Sequence, residues 1–335
     1  MEKFWKDFKT LFRQFGQVCA RDNKRASIAT YHLRQRRLAL GFRRMLKGEL
    51  LRLDGSRQPA FKLSSPYALK PKHIKALILD CEARNVSVAM LHNYSSTLRV
   101  FCRWIGKPAL VPPTAALVTD PRYRRRSQVA KRNKSWISAG IDSRAVLRKM
   151  AETEPHAAMT LELMDAFGLR LREASLMCPH LADRGMFLDV SRGTKGRRPR
   201  IIEITTDSER DVLARAKKIV SDPLASLIPD RNGSTRKFKS WSNHIYYLMR
   251  KNGITLKTVG TSTHGLRHQR LQREYTRVTG ALSPVQGGKP GCVDATTDRM
   301  ARTKVAALAG HSRRSISSAY LGQFLKASKS NKSWS

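Results

Sequence analysis

Apolar residues recur along the first hundred positions at the three- and four-residue spacing of amphipathic helices. Phe4, Phe8, Leu11, Phe12 and Phe15 fall on one face of a first helix. A second, basic helix is predicted from about Ser27 to Leu51 and includes Tyr31, Leu33, Leu38 and Phe42. Asp54-Gly55 and Pro59 then break the pattern. Pro71 suits the start of a third helix, where its missing N–H costs nothing, and Ile74, Leu77 and Ile78 follow on one face. A fourth helix is predicted from about Ser87 to Trp104, with Met90, Leu91, Tyr94, Leu98 and Phe101 as its apolar face. Gly106 and Pro108 end it.

Residues 109–140 have the composition of a linker. Pro112, Pro113 and Pro121 interrupt them, and a basic run follows from Arg122 to Lys134. Two readings of that run stand side by side: a solvated segment, and an arm that tracks a nucleic-acid backbone through Arg122, Arg124, Arg125, Arg126, Lys131, Arg132 and Lys134. From about Ser143 the pattern becomes mixed. Helices are predicted at 144–154, 158–166, 210–220, 240–251, 266–277 and 298–309. Met186–Val190 and Arg200–Ile204 are short runs of β-formers, joined through Gly193-Thr194-Lys195-Gly196, and predict a hairpin. Residues 280–292 form a loop rich in Gly and Pro.

Charge narrows the function. The chain has 335 residues, of which 65 are Lys or Arg and 25 are Asp or Glu, giving a net charge of +40. Such an excess repels itself unless a polyanion screens it, which favours nucleic acid over an anionic membrane. Hydrophobic residues make up 41%, enough for packed cores, so the chain is not simply a basic tail. No apolar run is long enough to cross a bilayer as a helix, and charges at Glu2, Lys3, Lys6, Asp7, Lys9 and Arg13 exclude a signal-peptide core. Cys19, Cys81, Cys102, Cys178 and Cys292 are odd in number and form no CxxC pair. They are expected to be small buried hydrophobes in a reducing compartment, not a disulfide or zinc framework. No acidic cluster points to a two-metal site, so neither metal nor cofactor is expected.

Four short segments carry the candidate chemistry. They are Gly168-Leu169-Arg170-Leu171-Arg172-Glu173, the turn with Lys195, His264-Gly265-Leu266-Arg267-His268, and Leu308-Ala309-Gly310-His311 with Tyr320 nine residues on. Singly each is weak: an Arg beside a Glu is most often an ion pair, and a Tyr near a helix is most often core. In this order and spacing the set resembles the tyrosine recombinase, or phage integrase, family. The motifs span about residues 143–328, and the helical N-terminal part is similar to the family's core-binding domain only in general character.

The resemblance implies an α-helical, SAM-like core-binding domain at 1–108, a basic linker at 109–140, a mixed α+β catalytic domain with a small antiparallel sheet at 141–328, and a tail at 329–335. It implies that the two domains clamp duplex DNA. It implies that Arg170 and Arg267 grip the non-bridging phosphate oxygens, a task suited to a planar, permanently charged fork. Arg172 ranks below Arg170 because its place does not match. Lys195 would protonate the leaving 5′ oxygen. His264 and His311 would position or stabilise the phosphate, and His264 would help move the nucleophile's proton. Tyr320 would be the nucleophile, with Glu173 and His268 in support. The implied activity is metal-free strand exchange through a 3′-phosphotyrosine, integrating or excising a mobile element in prokaryotic, nucleoid-associated cytoplasm. Four protomers, monomeric when free, would synapse two duplexes, with a DNA-bending or directionality factor as possible company. A topoisomerase IB-like relaxing enzyme and a catalytically silent DNA-binding relative are the alternatives.

Two departures from the family pattern stand out. Arg267 and His311 are 44 residues apart, longer than in compact members, and the 280–292 segment reads as an insertion: a tolerated surface loop, or a contact to DNA or a neighbouring protomer. Beyond Tyr320, Leu321, Phe324 and Leu325 fit one apolar helical face that docks on another protomer, or the polar 326–335 end simply frays.

Overall fold

The computed structural model describes residues 1–18, 26–231 and 234–324. The chain divides into two compact units, Met1–Ser127 and Gln128–Ser335. The fold is mostly helical, as the periodicity predicts.

In the first unit, α1 (Glu2–Phe15), α2 (Ile28–Lys47), α3 (Pro71–Ala83) and α4 (Val88–Trp104) enclose an aromatic core. Phe8 sits 4.8 Å from Phe12, 5.9 Å from Phe42 and 5.8 Å from Phe101 between ring centroids, distances at which aromatic pairs attract. Ser27 and Ser87 accept the Thr30 and Met90 amides and so cap α2 and α4. Helix α2 ends at Lys47, four residues before Leu51, because Gly48 takes a left-handed φ of 71°. Leu33 and Met90, placed on apolar faces from the sequence, are exposed instead. Helix α2 buries Leu38, Phe42, Met45 and Leu46, and a residue five before Leu38 stands about 140° round the helix. Met90 is one step from Leu91, about 100° off the buried stripe.

The segment expected as a linker is anchored at both ends. Val111, Leu117, Val118 and Tyr123 join the first unit's core, with α5 at Thr114–Leu117. The Glu82 carboxylate accepts the Thr119 and Asp120 amides, and Tyr123 donates to the Val86 carbonyl at 2.8 Å. From Gln128 the chain belongs to the second unit, where Trp136 is wholly buried.

The second unit begins with α6 (Ser143–Ala151), α7 (Pro155–Phe167), α8 (Leu171–Leu176) and α9 (Pro179–Ala182). Strands β1 (Phe187–Val190) and β2 (Arg200–Glu203) pair antiparallel, with Val190 opposite Arg200, so residues 191–199 form the connection that presents Lys195. After α10 (Asp207–Ile219) comes an unforeseen second antiparallel pair, β3 (Asp230–Arg231) with β4 (Ser234–Thr235). Then follow α11 (Phe238–Lys251), α12 (His264–Thr279), α13 (Ala295–Leu308) and α14 (Ser318–Leu321). Helix α12 is the axis of this unit: its residues from Gly265 to Gln272 are all buried.

The 280–292 segment is a loop, as predicted, held at one point: Ser283 is fully buried, donates to Gln286 at 2.7 Å, and Val285 packs beside Gly322, just past α14. Two expectations need correction. Gly322 turns the chain out of helix with φ 72° and ψ −170°, so Phe324 does not extend the face of Leu321; Leu325 and 326–335 lie outside the described residues. Among the cysteines, Cys102 and Cys178 are buried and Cys81 half-buried, but Cys292 is exposed in the loop, and Cys19 lies outside the described residues.

Candidate active site

The site forms where four chain segments converge. Helix α7 ends at Gly168, whose φ of 64° turns the chain so that Arg170 becomes the N-cap of α8. Glu173, three residues on, folds back in the manner of a capping box. It accepts the Arg170 amide at 2.8 Å and Arg170 Nη1 at 2.6 Å. The Gly-Leu-Arg-x-x-Glu spacing is thus a helix-start geometry that also aims a guanidinium.

Arg200, at the start of β2, completes the ion cluster. Its Nη1 and Nη2 donate to Glu173 Oε1 and Oε2 at 2.9 and 2.8 Å, and its Nε to the Leu308 carbonyl at 3.0 Å. Burial by itself would raise the Glu173 pKa; the hydrogen bonds and charge of Arg200, then of Arg170, outweigh it and hold the carboxyl at about 2. Arg200 was not singled out from the sequence. It stands in the same basic run as Arg197 and Arg198, and nothing local separates it from them.

The third segment is the N-terminal turn of α12. Gly265 lies under the chain: a Cβ there would stand 2.6 Å from the Lys134 carbonyl oxygen and 2.7 Å from the Trp136 ring. That close approach seats α12 so that Arg267, one turn in, is completely buried. Arg267 donates to the Gly168 carbonyl and, at 2.5 Å, to the Ala309 carbonyl. Arg170 Nη2 donates to the same Ala309 oxygen at 2.8 Å. Three guanidiniums therefore gather on carbonyls at the C-terminal end of α13, the negative end of its dipole. Gly310 keeps that end open: a Cβ there would meet Arg200 Nη1 at 3.1 Å and Arg170 Nη1 at 3.3 Å.

His311 follows at once, with Nε2 3.5 Å from Arg170 Nη2. Tyr320 enters from α14 and is 7% exposed. Its hydroxyl accepts long contacts of 3.4 Å from both Nε and Nη2 of Arg267. Its ring centroid lies 4.9 Å from that of His268, 6.2 Å from His264 and 6.4 Å from His311. The three imidazoles are held neutral at pH 7. Burial first, then the charges of Arg170, Arg267, Lys195 and Arg200, push His311 down to about 4. His264 keeps an accessible edge, yet burial of the rest and the charges of Arg267, Arg170 and Lys134 bring it to about 4. His268 falls to about 3, through burial and then His264, Lys134 and Arg267.

The structure thus brings together Arg170, Glu173, His264, Arg267, His268, His311 and Tyr320. Lys195 is exposed on its turn, close enough for its charge to act on His311. Arg172 is engaged elsewhere, over the Phe238 ring at 5.4 Å. The basic run is divided between the two units. Arg122 pairs with Asp120 at 2.7 Å and Arg126 donates to Asn93 at 3.0 Å in the first unit, where Arg124 and Arg125 are exposed. Lys131, Arg132 and Lys134 are exposed on the second unit, and Lys134 faces the histidines. Among the described residues no group of three or more His, Cys, Asp or Glu stands together to hold a metal. No described helix is long and apolar enough to cross a membrane.

The cluster can bind a tetrahedral anion between two guanidiniums beside the Tyr320 hydroxyl. Residues 1–111 match the family model "Phage integrase, N-terminal", and residues 127–273 match the model "Integrase". Among solved structures, a lambda integrase (75-356) dimer bound to a COC' core site is 14% identical, with a TM-score of 0.56 over 96% of this chain and 99% of that one. The Tn1549 transposon integrase (aa 82-397) in complex with circular intermediate DNA is 15% identical, with a TM-score of 0.55 over 95% of both chains. A lambda integrase tetramer bound to a Holliday junction is 13% identical, with a TM-score of 0.56 over 93% of this chain and 76% of that one. These likenesses are of fold. No curated protein matches the sequence.

Proposed function

The chain belongs to the integrase family of tyrosine recombinases, and from that premise we propose that it is a site-specific DNA recombinase working through a 3′-phosphotyrosine intermediate. The observation that carries the reading is the meeting of the Tyr320 hydroxyl with Arg267, in the same cluster as Arg170, His264 and His311. A bound phosphodiester would accept hydrogen bonds from Arg170 and Arg267 at its non-bridging oxygens. The 3.4 Å Arg267–Tyr320 contacts are long for hydrogen bonds, so Arg267 gives up little in turning to phosphate.

The step balances without an added reactant. Tyr320 Oη bonds to phosphorus, the bond from phosphorus to O5′ breaks, and O5′ takes a proton from Lys195. The tyrosine proton passes to a neutral imidazole; His264, held below its usual pKa, is vacant at pH 7. Charge growing on the phosphorane is met by guanidiniums already fixed by Glu173 and the α13 carbonyls, so little reorganisation is needed. A 5′ hydroxyl from another strand reverses the step, which gives exchange in place of hydrolysis. Integration or excision of a mobile element is the role this supports. The tetramer named for the lambda relative on a Holliday junction supports four protomers acting on synapsed duplexes.

Covalent trapping tests the reading. Nicked duplexes from the DNA flanking the gene are incubated with the protein in EDTA and quenched with SDS. An adduct from wild type, absent from Tyr320→Phe although the variant still shifts the duplex, is expected. Binding with no adduct would favour a silent relative, and an adduct from Tyr320→Phe would mean another nucleophile. Adduct and relaxation without recombinant products would favour the topoisomerase-like alternative.

A further inference from the structure

The basic segment after Gln128 is fastened to the helix that carries Tyr320. The Ala130 amide donates to the Ser318 carbonyl at 2.9 Å, two residues before Tyr320. A second tie runs through Gln272 of α12, a side chain 2% exposed that none of the steps above uses. Its Nε2 donates one N–H to Asn133 Oδ1 at 3.0 Å and the other to the Tyr320 backbone carbonyl at 3.2 Å. Asn133 Oδ1 also accepts the Ser135 amide at 3.0 Å, which fixes the acceptor in place. The same segment is pinned to the start of α12: Thr261 donates to the Lys134 carbonyl at 2.6 Å and the Trp136 indole to the Ser262 carbonyl at 2.8 Å. Between these anchors Lys131, Arg132 and Lys134 are exposed.

We propose that Gln272 is a positioning residue: with Asn133 it links the 130–134 segment to the Tyr320 backbone, so that DNA backbone gripped by Lys131, Arg132 and Lys134 sets where the nucleophile stands. The proposal rests on Tyr320 being the nucleophile. Helix α14 is only four residues long and ends at Gly322, so it has little rigidity of its own. A buried amide that spends both N–H groups on two segments distant in sequence supplies what the short helix lacks. The link predicts that duplex binding and nucleophile placement are coupled through this segment, and that its loss slows chemistry more than it weakens binding.

The test compares wild type with Gln272→Met, Asn133→Ala, Asn133→Asp and the Gln272→Met/Asn133→Ala double variant. Methionine keeps length and lacks both donors; aspartate keeps the acceptor. The single-turnover rate of adduct formation is measured at saturating nicked duplex, beside Kd and the melting temperature. Gln272→Met is expected to slow adduct formation about 10- to 100-fold, the scale of a nucleophile misplaced by about 1 Å, with Kd within about threefold. Asn133→Ala slows the same step, the double variant is no slower than Gln272→Met, and Asn133→Asp stays near wild type. A 5′-bridging phosphorothiolate, which needs no general acid, leaves the Gln272→Met defect in place. Rates within about twofold of wild type, additive losses, a defect seen only in Kd, or rescue by the phosphorothiolate would each overturn the proposal. If Gln272→Met melts early, the two Asn133 variants decide alone. Wild type without an adduct, or an adduct in Tyr320→Phe, would instead overturn the parent reading and this link with it.

Discussion

Replacing Glu173 with Gln should expose how much of the site rests on one carboxylate. Every neighbour of that group is a donor: the Arg170 amide, Arg170 Nη1, and Arg200 Nη1 and Nη2, all at 2.6–2.9 Å. Arg267 Nη1 stands 3.9 Å away as well. A carboxamide keeps one acceptor oxygen, turns an NH2 toward donors and leaves buried guanidiniums without their counter-charge. Two routes give the cost. Breaking a buried ion pair by removing one partner costs about 3–5 kcal/mol. Independently, the fall of the carboxyl from its ordinary 4.5 to about 2 corresponds to about 3 kcal/mol of preference for the charged form in the fold. For a unit of this size about 3 kcal/mol lowers Tm by roughly 6–12 °C, read as the transition of the Gln128–Ser335 unit in calorimetry at pH 7. The sign is fixed by the lowered pKa: the stabilisation is complete above about pH 4.5 and is lost as pH falls through about 2, so the gap between wild type and Glu173→Gln closes over that window. Adduct formation should fall about 100-fold, because Arg170 loses its anchor. Equal melting within about 2 °C at pH 7, or a gap that does not depend on pH, would refute the claim that Glu173 holds these arginines by its charge.

Two further outcomes follow from the same geometry. Lys195→Ala should abolish cleavage of an ordinary duplex and regain most of it on a 5′-bridging phosphorothiolate; no rescue would move the general acid elsewhere. His311 and His268 should titrate near 4 and 3 in the free protein, and His311 should move upward when a duplex brings phosphate beside it, as read from histidine resonances in NMR. Because both are depressed below the unfolded value of about 6.5, their share of stability is complete above that pH and drains as pH falls toward the folded values; free-state titration near 6.5 would contradict the burial described here.

Helix positions were legible because burial repeats with the helical period, and Ser27, Ser87 and Pro71 mark starts that the structure uses. The failures have a common cause. Leu33 and Met90 are apolar but sit off the buried stripe, and composition alone cannot tell which side of a helix finds a partner. The 109–140 segment looked like a linker because prolines and charges dominate it, while four apolar residues, Val111, Leu117, Val118 and Tyr123, were enough to bind its first part to the core. Gly322 ended α14 before Phe324 because a glycine at φ 72° removes the helical continuation that the apolar spacing implied.

The active cluster was legible only as an ordered set of motifs, since each residue type is common in so basic a chain. What the motifs left out is what depends on distant partners. Arg200 reaches Glu173 from 27 positions away, and Gln272 meets Asn133 and Tyr320 across 139 and 48 positions. Partner identity, not residue identity, separates the arginines here. The few buried acids of the second unit are spent on arginines, Glu173 on Arg170 and Arg200, and Glu209 and Glu274 on Arg270. Each such pair cancels a cation where burial would otherwise forbid it. With 25 acids against 65 cations, most of the excess charge is left for groups such as Lys131, Arg132, Lys134 and Lys195, which stand exposed. The same economy that neutralises the interior around Glu173 therefore leaves the outer surface of that site to a polyanion.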